Sequence, residues 1–367
     1  MSSIWGEKLK ISLFGESHGN GIGVVIDGLP AGVHLDEDLI KSEMKRRAPG
    51  NLPESTPRKE DDQYEILSGF FNGHTTGTPI CAVIRNQNTK SKDYDELKKY
   101  PRPSHGDYTG YIKYKGKNDI RGGGHFSGRI TAGIVFAGSI AKQILKEHNI
   151  EICAHLKRVY NVEDEYFSKE NINRECFDRL NGMALPTIDE TVAKKMSEAI
   201  MTARREGDSV GGMIETAVTG LPAGYGSPFF NSVESKLSQF IFSIPGVKGI
   251  EFGEGENSGF NVCGLKGSQT NDSFALENER VVTKTNNSGG INGGITNGMP
   301  VIFRTAMRPT PSIAKEQETV NLDTMEETSL VIEGRHDPCI AVRAIPVIES
   351  AAALCTLDIL MLGGFIK

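Results

Sequence analysis

The pentapeptide Gly28-Leu29-Pro30-Ala31-Gly32 occurs a second time in the chain, as Gly220-Leu221-Pro222-Ala223-Gly224. Each copy follows a β-rich run that itself comes after a cluster of glycines. A second pair of similar segments lies downstream, Thr76 to Ile80 and Thr296 to Val301, and each introduces an apolar strand. Because the two signatures keep the same order, the sequence predicts two related halves rather than a solenoid, which needs several short repeats.

The spacing of apolar residues predicts the elements of each half. Strands are expected at Lys10 to Phe14, Ile22 to Asp27, Ile80 to Ile84 and Met213 to Thr219. Helices are expected from the N-cap Asp36 to just before Pro49, from Ala137 to Asn149, from Val192 to Gly207 and from Val233 to Ile241. Residues 151–185 show no pattern of apolar residues that assigns them to a helix or a strand.

The predicted strands occur in runs with helices between them, and no regular βαβ alternation is visible. We therefore expect an α+β fold of two-layered antiparallel sheets flanked by helices. It would form a single domain over residues 1–367, with repeated halves at roughly residues 10–150 and 205–350.

The amino-acid composition narrows the range of functions that the chain is expected to have. The chain has 41 basic and 47 acidic residues, a net charge of -6 and a pI near 5.8. Nucleic acid favours a basic domain, so it is not an expected partner. Six cysteines without a Cys-x-x-Cys pair indicate free thiols in a reducing compartment, and the first residues lack the features of a signal peptide. The most apolar segment, Pro346 to Leu362, contains Glu349 and Asp358 and predicts a buried helix rather than a membrane span. We expect a soluble, cytoplasmic protein without a membrane partner.

A concentration of cations interrupts this acidic background between residues 98 and 129. Eight lysines or arginines lie there against two acids, Asp107 and Asp119, beside a turn of three glycines. Arginine forks and unpaired backbone N–H groups hold phosphate or carboxylate oxygens in proteins. Pro101 and Pro103 stiffen the stretch, and Ser127 stands at the entrance of a predicted helix. These features favour a site for a polyanionic small molecule, with a solvated basic loop as the alternative.

The segment Gly15-Glu16-Ser17-His18-Gly19 matches the Gly-x-Ser-x-Gly pattern of a serine-hydrolase nucleophile elbow. Too few residues precede it to form the earlier strands of a hydrolase sheet. His18 is the better candidate, as an acid that faces an anion near neutral pH. A serine hydrolase using Ser17 and a non-catalytic anion-binding protein are the alternative functions. No Gly-x-Gly-x-x-Gly fingerprint follows a strand and no P-loop motif occurs, so neither a dinucleotide fold nor a P-loop ATPase is indicated.

Further clusters could complete an anion site. Arg102 and His105 place a cation beside a proton donor across a proline turn. The glycine-rich loop at residues 286–294 permits close backbone approach to a flat or phosphorylated cofactor. The segment from Arg308 to Ser312 adds a cation and two hydroxyls. The segment from Arg335 to Asp337 is either a phosphate clamp with a carboxylate base or a surface turn. Adjacent side chains diverge and no second ligand cluster is present, so no metal site is predicted.

Taken together, these segments resemble the chorismate synthase family over nearly the whole length of the chain. The resemblance implies a sandwich fold with an internal repeat. It also implies anti-1,4-elimination of phosphate from 5-enolpyruvylshikimate-3-phosphate to give chorismate, with reduced FMN required and no net redox change. The matching segments are residues 14–30, 46–50, 102–105, 121–140, 287–294 and 335–350.

The same resemblance implies roles for individual residues. His18 would protonate the leaving phosphate, His105 would manage the protonation of the flavin, and Asp337 would work with the flavin N5 in removing the substrate hydrogen. The substrate anions would be held by Arg47, Arg102, Arg129 and Arg335. The flavin would be held by His125, Phe126, Ser127, Pro245, Gly246, Gly293, Arg308, Pro309, Thr310, Pro311, Ser312 and Arg335.

The family further implies a homotetramer that binds a phosphorylated dicarboxylate substrate and FMNH2, with NADPH only as an indirect reductant. Two positions depart from the common form of the family. His125-Phe126 stands where an arginine often follows the glycine turn, and Pro53 stands where many members have another arginine. Arg58 is the candidate to replace that second cation.

Overall fold

The computed structural model describes residues 3–50, 61–86, 99–332 and 336–366. The strands are β1 (Ile4–Trp5), β2 (Lys10–Gly15), β3 (Gly21–Asp27), β4 (Tyr64–Ser68), β5 (Phe70–Phe71), β6 (His74–Thr75), β7 (Ile80–Arg85), β8 (Glu151–Val159), β9 (Val162–Glu163), β10 (Gly212–Thr219), β11 (Val247–Phe252), β12 (Phe274–Glu277), β13 (Arg280–Thr283), β14 (Ile291–Asn292), β15 (Ile295–Thr296), β16 (Val301–Met307), β17 (Glu316–Asn321) and β18 (Glu326–Val331). The helices are α1 (Glu37–Arg47), α2 (Asp107–Tyr114), α3 (Thr131–Glu147), α4 (Arg174–Gly182), α5 (Glu190–Arg205), α6 (Val233–Ile241), α7 (Gly267–Thr270) and α8 (Ala341–Leu362).

Two five-stranded antiparallel sheets share one strand order. The first sheet runs β1-β2-β3-β7-β4, and the second runs β11-β16-β10-β8-β9. Without the short edge strands β1 and β9, β2-β3-β7-β4 corresponds to β8-β10-β16-β11. The helices follow the same scheme, since α1 and α6 come after the second strand of each set and α3 and α8 come after the last.

Matching hydrogen bonds join the repeated segments in each half. Thr75 Oγ1 donates to the Pro30 carbonyl oxygen at 2.6 Å, and Thr296 Oγ1 donates to the Pro222 carbonyl oxygen at 2.7 Å. The corresponding elements lie within residues 10–147 and 151–362, and β8 precedes residue 205, where the second half was expected to begin. The segment that contains α4 and α5 separates β8 from β10.

The long helices α3 and α8 lie between the two sheets. Helix α3 packs against β2, β3 and β7, helix α8 packs against β8 and β10, and the two helices pack against each other. Helix α4 covers the opposite face of the second sheet, where Phe177 and Leu180 contact Cys153 and Ala217. The α+β class with antiparallel sheets is confirmed, and the structure adds the order of the layers. Helices α3 and α8 take the central position because most of their residues are buried, 13 of 17 in α3 and 19 of 22 in α8.

The predicted elements are close to those observed. Asp36 is the N-cap of α1, where its side chain accepts hydrogen bonds from the backbone N–H groups of Asp38 and Leu39. The buried helix expected at the C-terminus is present as the 22-residue α8. It is long and apolar enough to cross a membrane, but 89% of its most apolar window is buried inside the protein. Among the strands of the two five-stranded sheets, five were not assigned from sequence: β1, β4, β8, β9 and β11.

Candidate active site

The basic stretch folds back over the edge of the first sheet. Gly122, Gly123 and Gly124 all have positive φ values, 60°, 87° and 54°. A Cβ atom at Gly122 would lie 2.2 Å from the His18 ring, and one at Gly124 would lie 1.9 Å from the Asp119 carbonyl oxygen. The turn therefore needs glycine both for its backbone conformation and for its close packing against His18. The chain then enters α3 through a short 3-10 turn that Ser127 caps by accepting from the Arg129 N–H at 3.3 Å.

A cavity of about 410 Å³ lies where this stretch, the loop after β2 and the N-terminus of α8 meet. Its size is within the range of roughly 300–1,000 Å³ that is usual for small-molecule sites. Five arginines of the described residues line it: Arg47, Arg102, Arg129, Arg308 and Arg343. Its other lining residues include His18, His105, Phe126, Ser127, Pro245, Gly246, Thr310, Pro311, Ser312, His336 and Asp337.

Two of the arginines share one carboxylate. Asp62 Oδ2 accepts from Arg47 Nε at 2.8 Å, and Asp62 Oδ1 accepts from Arg129 Nη1. Burial lowers the pKa of Arg47 to about 10, against the opposing effect of Asp62. Arg47 therefore remains a cation at neutral pH. One carboxylate between two guanidinium groups leaves one positive charge for a ligand.

A second carboxylate organises Arg102 and His105. Asp107 accepts from Arg102 Nε at 2.7 Å and from Arg102 Nη2 at 2.8 Å, which is a bidentate pair. Its Oδ1 also lies 2.7 Å from His105 Nδ1. Burial opposes the ionisation of Asp107, but the hydrogen bonds from Arg102 and His105 outweigh it and hold the pKa of Asp107 well below its usual range.

The start of α8 supplies the third carboxylate. Asp337 Oδ2 accepts from Arg343 Nη1 at 2.6 Å, and Arg343 Nε donates to the Arg47 carbonyl oxygen at 3.0 Å. Arg343 thereby links the candidate base Asp337 to the end of α1. His18, which also lines the cavity, is buried, with 7% of its surface exposed.

One end of the cavity is suited to a flat molecule with a phosphate group. Ile244, Pro245, Met307 and Ile340 form an apolar wall. Gly246 has a φ of 92°, and a Cβ atom there would lie 2.5 Å from Ile340 Cδ1, so glycine is required at this position. The segment from Arg308 to Ser312 closes this end, and Ser312 Oγ accepts from Arg102 Nη1 at 3.3 Å.

Three residues predicted for the flavin site do not line the cavity. His125 Nδ1 lies 2.8 Å from the Gly15 carbonyl oxygen and its Nε2 lies 3.1 Å from Ser3 Oγ, so its ring is held by the first sheet. Gly293 is in the turn between β14 and β15, and Pro309 packs against Gly211. All three were expected from the resemblance to the family rather than from a local sequence signal. Arg335, Pro53 and Arg58 lie outside the described residues.

Three functional candidates were missed at the sequence level. Asp107 was counted only as an acid within the basic stretch, Asp62 was not considered, and Arg343 was not singled out. Arg343 did carry a signal, since it is the only charged residue in the first two turns of the apolar helix α8. Asp62 carried none, because its partners become neighbours only in the folded chain.

Comparison with known proteins identifies this arrangement. A sequence profile described as chorismate synthase matches residues 9–361. A chorismate synthase of Dehalococcoides mccartyi is 44% identical over 366 residues, which cover 100% of this chain and 98% of that protein. The chain belongs to the chorismate synthase family. A chorismate synthase of Pyrococcus abyssi is 46% identical over 356 residues, or 97% of each chain. A crystal structure of chorismate synthase superposes with a TM-score of 0.74 at 26% identity, covering 98% of this chain and 93% of the other.

Chorismate synthases are lyases that act on a carbon–oxygen bond, and the protein is an enzyme of this class. The serine-hydrolase interpretation fails on structure as well as on family. Ser17 lies in the connection between the antiparallel strands β2 and β3, whereas a nucleophile elbow joins a strand to a helix.

Proposed function

We propose that the protein eliminates phosphate from 5-enolpyruvylshikimate-3-phosphate in the anti-1,4 sense to give chorismate, with reduced FMN as cofactor. The observation that carries the proposal is the cavity with five arginines in a protein of this lyase family. The alternative of a non-catalytic anion-binding protein is set aside, because the chain belongs to a family of lyases.

The charge of the cavity suits a phosphorylated dicarboxylate. Its five arginines are contacted by three carboxylates, Asp62, Asp107 and Asp337, which leaves an excess of two positive charges among the described residues. Arg47, Arg102 and Arg129 are buried, where charge interactions are screened less than at the surface, whereas Arg308 is half-buried. Arg47, Arg102 and Arg129 would bind the substrate anions, and Arg335 is proposed to join them.

The proton transfers fall to three residues in this proposal. His18 lies next to the glycine turn and would give a proton to the departing phosphate. His105, held by Asp107, would manage a proton at the cofactor. Asp337 would act as the base for the substrate hydrogen, with Arg343 fixing the direction of its carboxylate.

The residues present fit a flavin mononucleotide. The apolar wall beside Gly246 would accept the ring system, and Arg308, Thr310 and Ser312 would hold the phosphate. Phe126, Ser127 and Pro311 would complete the contacts. When bound, the reduced flavin would weaken the carbon–oxygen bond to phosphate by lending an electron and would assist in removing the hydrogen.

Three further properties belong to the same proposal. The protein would be a homotetramer in the cytoplasm. It would take reduced flavin from an external source, with NADPH as an indirect reductant. Oxidation of NADPH by the purified protein alone would contradict this last point.

The test is an anaerobic assay with chemically reduced FMN and the phosphorylated substrate. Release of phosphate together with the appearance of chorismate absorbance supports the proposal, and the absence of both rejects it. Retention of the substrate without turnover would favour the anion-binding alternative.

The histidines provide a second test. His18→Ala and His105→Ala should each lower turnover by roughly 10² to 10⁴, the usual contribution of a general acid or base. Circular dichroism should show an unchanged fold. Full activity in both variants would remove the roles assigned to His18 and His105.

A further inference from the structure

Asp107, the first residue of α2, contacts two cavity residues at once. It accepts from the Arg102 backbone N–H at 3.1 Å and from the Arg102 side chain at 2.7 and 2.8 Å. Its Oδ1 also lies 2.7 Å from His105 Nδ1. Only 7% of the Asp107 side chain is exposed, so solvent screens these contacts weakly.

Two groups compete for the Nδ1 atom of His105. Arg102 Nη2 lies 3.1 Å away and can only donate, so it would favour an unprotonated Nδ1. Asp107 Oδ1 lies closer, at 2.7 Å, and an ionised carboxylate can only accept. Arg102 Nη2 is already engaged with the same carboxylate oxygen at 2.8 Å. The shorter, charge-assisted contact therefore decides in favour of a proton on Nδ1.

A proton fixed on Nδ1 determines what Nε2 can do. In the neutral ring Nε2 is unprotonated and can accept a proton, and in the cation Nε2 carries the proton that can be donated. No hydrogen bond of the described residues engages Nε2, and His105 lines the cavity. The nearest atoms that a Cβ at Gly123 would meet include Nε2, at 3.7 Å, so the bare glycine backbone leaves room beside it.

We propose that Asp107 is a positioning residue: it holds a proton on Nδ1 of His105 and thereby makes Nε2 the atom that exchanges protons within the cavity. The proposal rests on the proposed function in so far as His105 acts in the reaction. The assignment of the proton to Nδ1 rests on the geometry alone. An experiment can therefore reject the role of His105 in the reaction without rejecting the assignment of the proton to Nδ1, and the reverse.

The first measurement is spectroscopic and needs no turnover. Magic-angle-spinning NMR of protein labelled with ¹⁵N in the histidine rings, at pH 8.5, reports the protonation of each ring nitrogen. The His105 signals among the eight histidines are identified by their loss in His105→Gln. The expected result is a protonated Nδ1 in the wild-type protein and a changed tautomer in Asp107→Asn. An unprotonated Nδ1 in the wild-type protein overturns the proposal, even where Asp107→Asn does not fold.

The second measurement is a double-mutant cycle on kcat. Asp107→Asn and His105→Gln should each lower kcat by roughly 10² to 10⁴, and the double variant should fall within about threefold of the slower single variant. The matched cycle pairs Asp107→Asn with Arg343→Lys, because the side chain of Arg343 bonds to Asp337 and to the Arg47 carbonyl oxygen rather than to Asp107, and there the losses should multiply. Multiplying losses in the His105 cycle would overturn the positioning role. A wild-type protein that forms no chorismate would reject the proposed function while leaving the NMR result to decide the Nδ1 assignment.

Discussion

Asp62→Asn should leave two buried arginines, which share one carboxylate in the wild-type protein, without that carboxylate. The side chains of Asp62 and Arg47 are 0% and 3% exposed, and that of Arg129 is 7% exposed. Removing one partner of a buried ion pair costs roughly 3–5 kcal/mol, because the remaining charge stays buried without compensation. We expect the free energy of unfolding of the variant to fall by about that amount in a buffer without phosphate.

Added phosphate should restore much of this stability. An anion between Arg47 and Arg129 would regain charge-assisted hydrogen bonds worth about 1.5–3 kcal/mol each. Since about 1.4 kcal/mol corresponds to a factor of ten, the variant should bind phosphate at least about tenfold more tightly than the wild-type protein. The assay is thermal unfolding followed by circular dichroism over a series of phosphate concentrations, from which the affinity is obtained by linkage.

A matched control exists in Asp119→Asn. The Asp119 carboxylate accepts hydrogen bonds from Arg121 Nε at 2.9 Å and from Arg121 Nη2 at 2.7 Å. The side chains of Asp119 and Arg121 are 22% and 43% exposed, however. A pair with this exposure contributes only about 0–1 kcal/mol, so the control should show little change in stability or phosphate response. The reasoning is refuted if Asp62→Asn keeps wild-type stability without phosphate, or if phosphate stabilises it no more than it stabilises the wild-type protein.

Two further predictions concern the glycine turn and the core. Gly122→Ala should lower turnover sharply while the fold is kept, because the added Cβ would lie 2.2 Å from the His18 ring. Gly32 also has a positive φ, but a Cβ there would meet open space, so Gly32→Ala should leave turnover unchanged in the same steady-state assay. Burial opposes the ionisation of Glu349, but Arg46 and a neighbouring lysine outweigh it and lower its pKa from 4.5 to about 2. Because the folded-state pKa is depressed, the stability contributed by this carboxylate is complete above about pH 4.5 and is lost as the pH falls towards 2. Acid titration monitored by circular dichroism should therefore show the stability gap between wild type and Glu349→Gln narrowing below pH 4.5, and a constant gap would contradict this.

Local sequence predicted much of the fold because the signals were local in origin. Asp36 caps α1 through its own neighbours. The repeated pentapeptides each place a glycine of positive φ directly after a strand, with φ values of 96° at Gly28 and 78° at Gly220. Such requirements do not depend on the remainder of the chain, so they are visible in the sequence.

Strand β8 was missed for a physical reason. Six consecutive residues, from Ile152 to Lys157, are buried, so the strand lacks the alternation of apolar and polar residues that marks a half-exposed strand. It also contains His155, a polar residue in the core whose two ring nitrogens contact Asp164 and Glu215. Whether both faces of a strand are covered depends on the tertiary structure, so the local pattern of apolar and polar residues does not reveal it.

The features of the candidate site likewise divide into those set by local sequence and those set by tertiary structure. By itself, the sequence determined the inventory: the motif segments, the family they resemble, and histidines and arginines that the fold gathers around one cavity. Only the tertiary structure decided which carboxylate restrains which cation. Asp62 meets an arginine 67 positions away, and the glycine turn carries the chain back against His18. Charge pairing depends on separations of a few ångströms in space, and packing of the two sheets around α3 and α8 sets those separations.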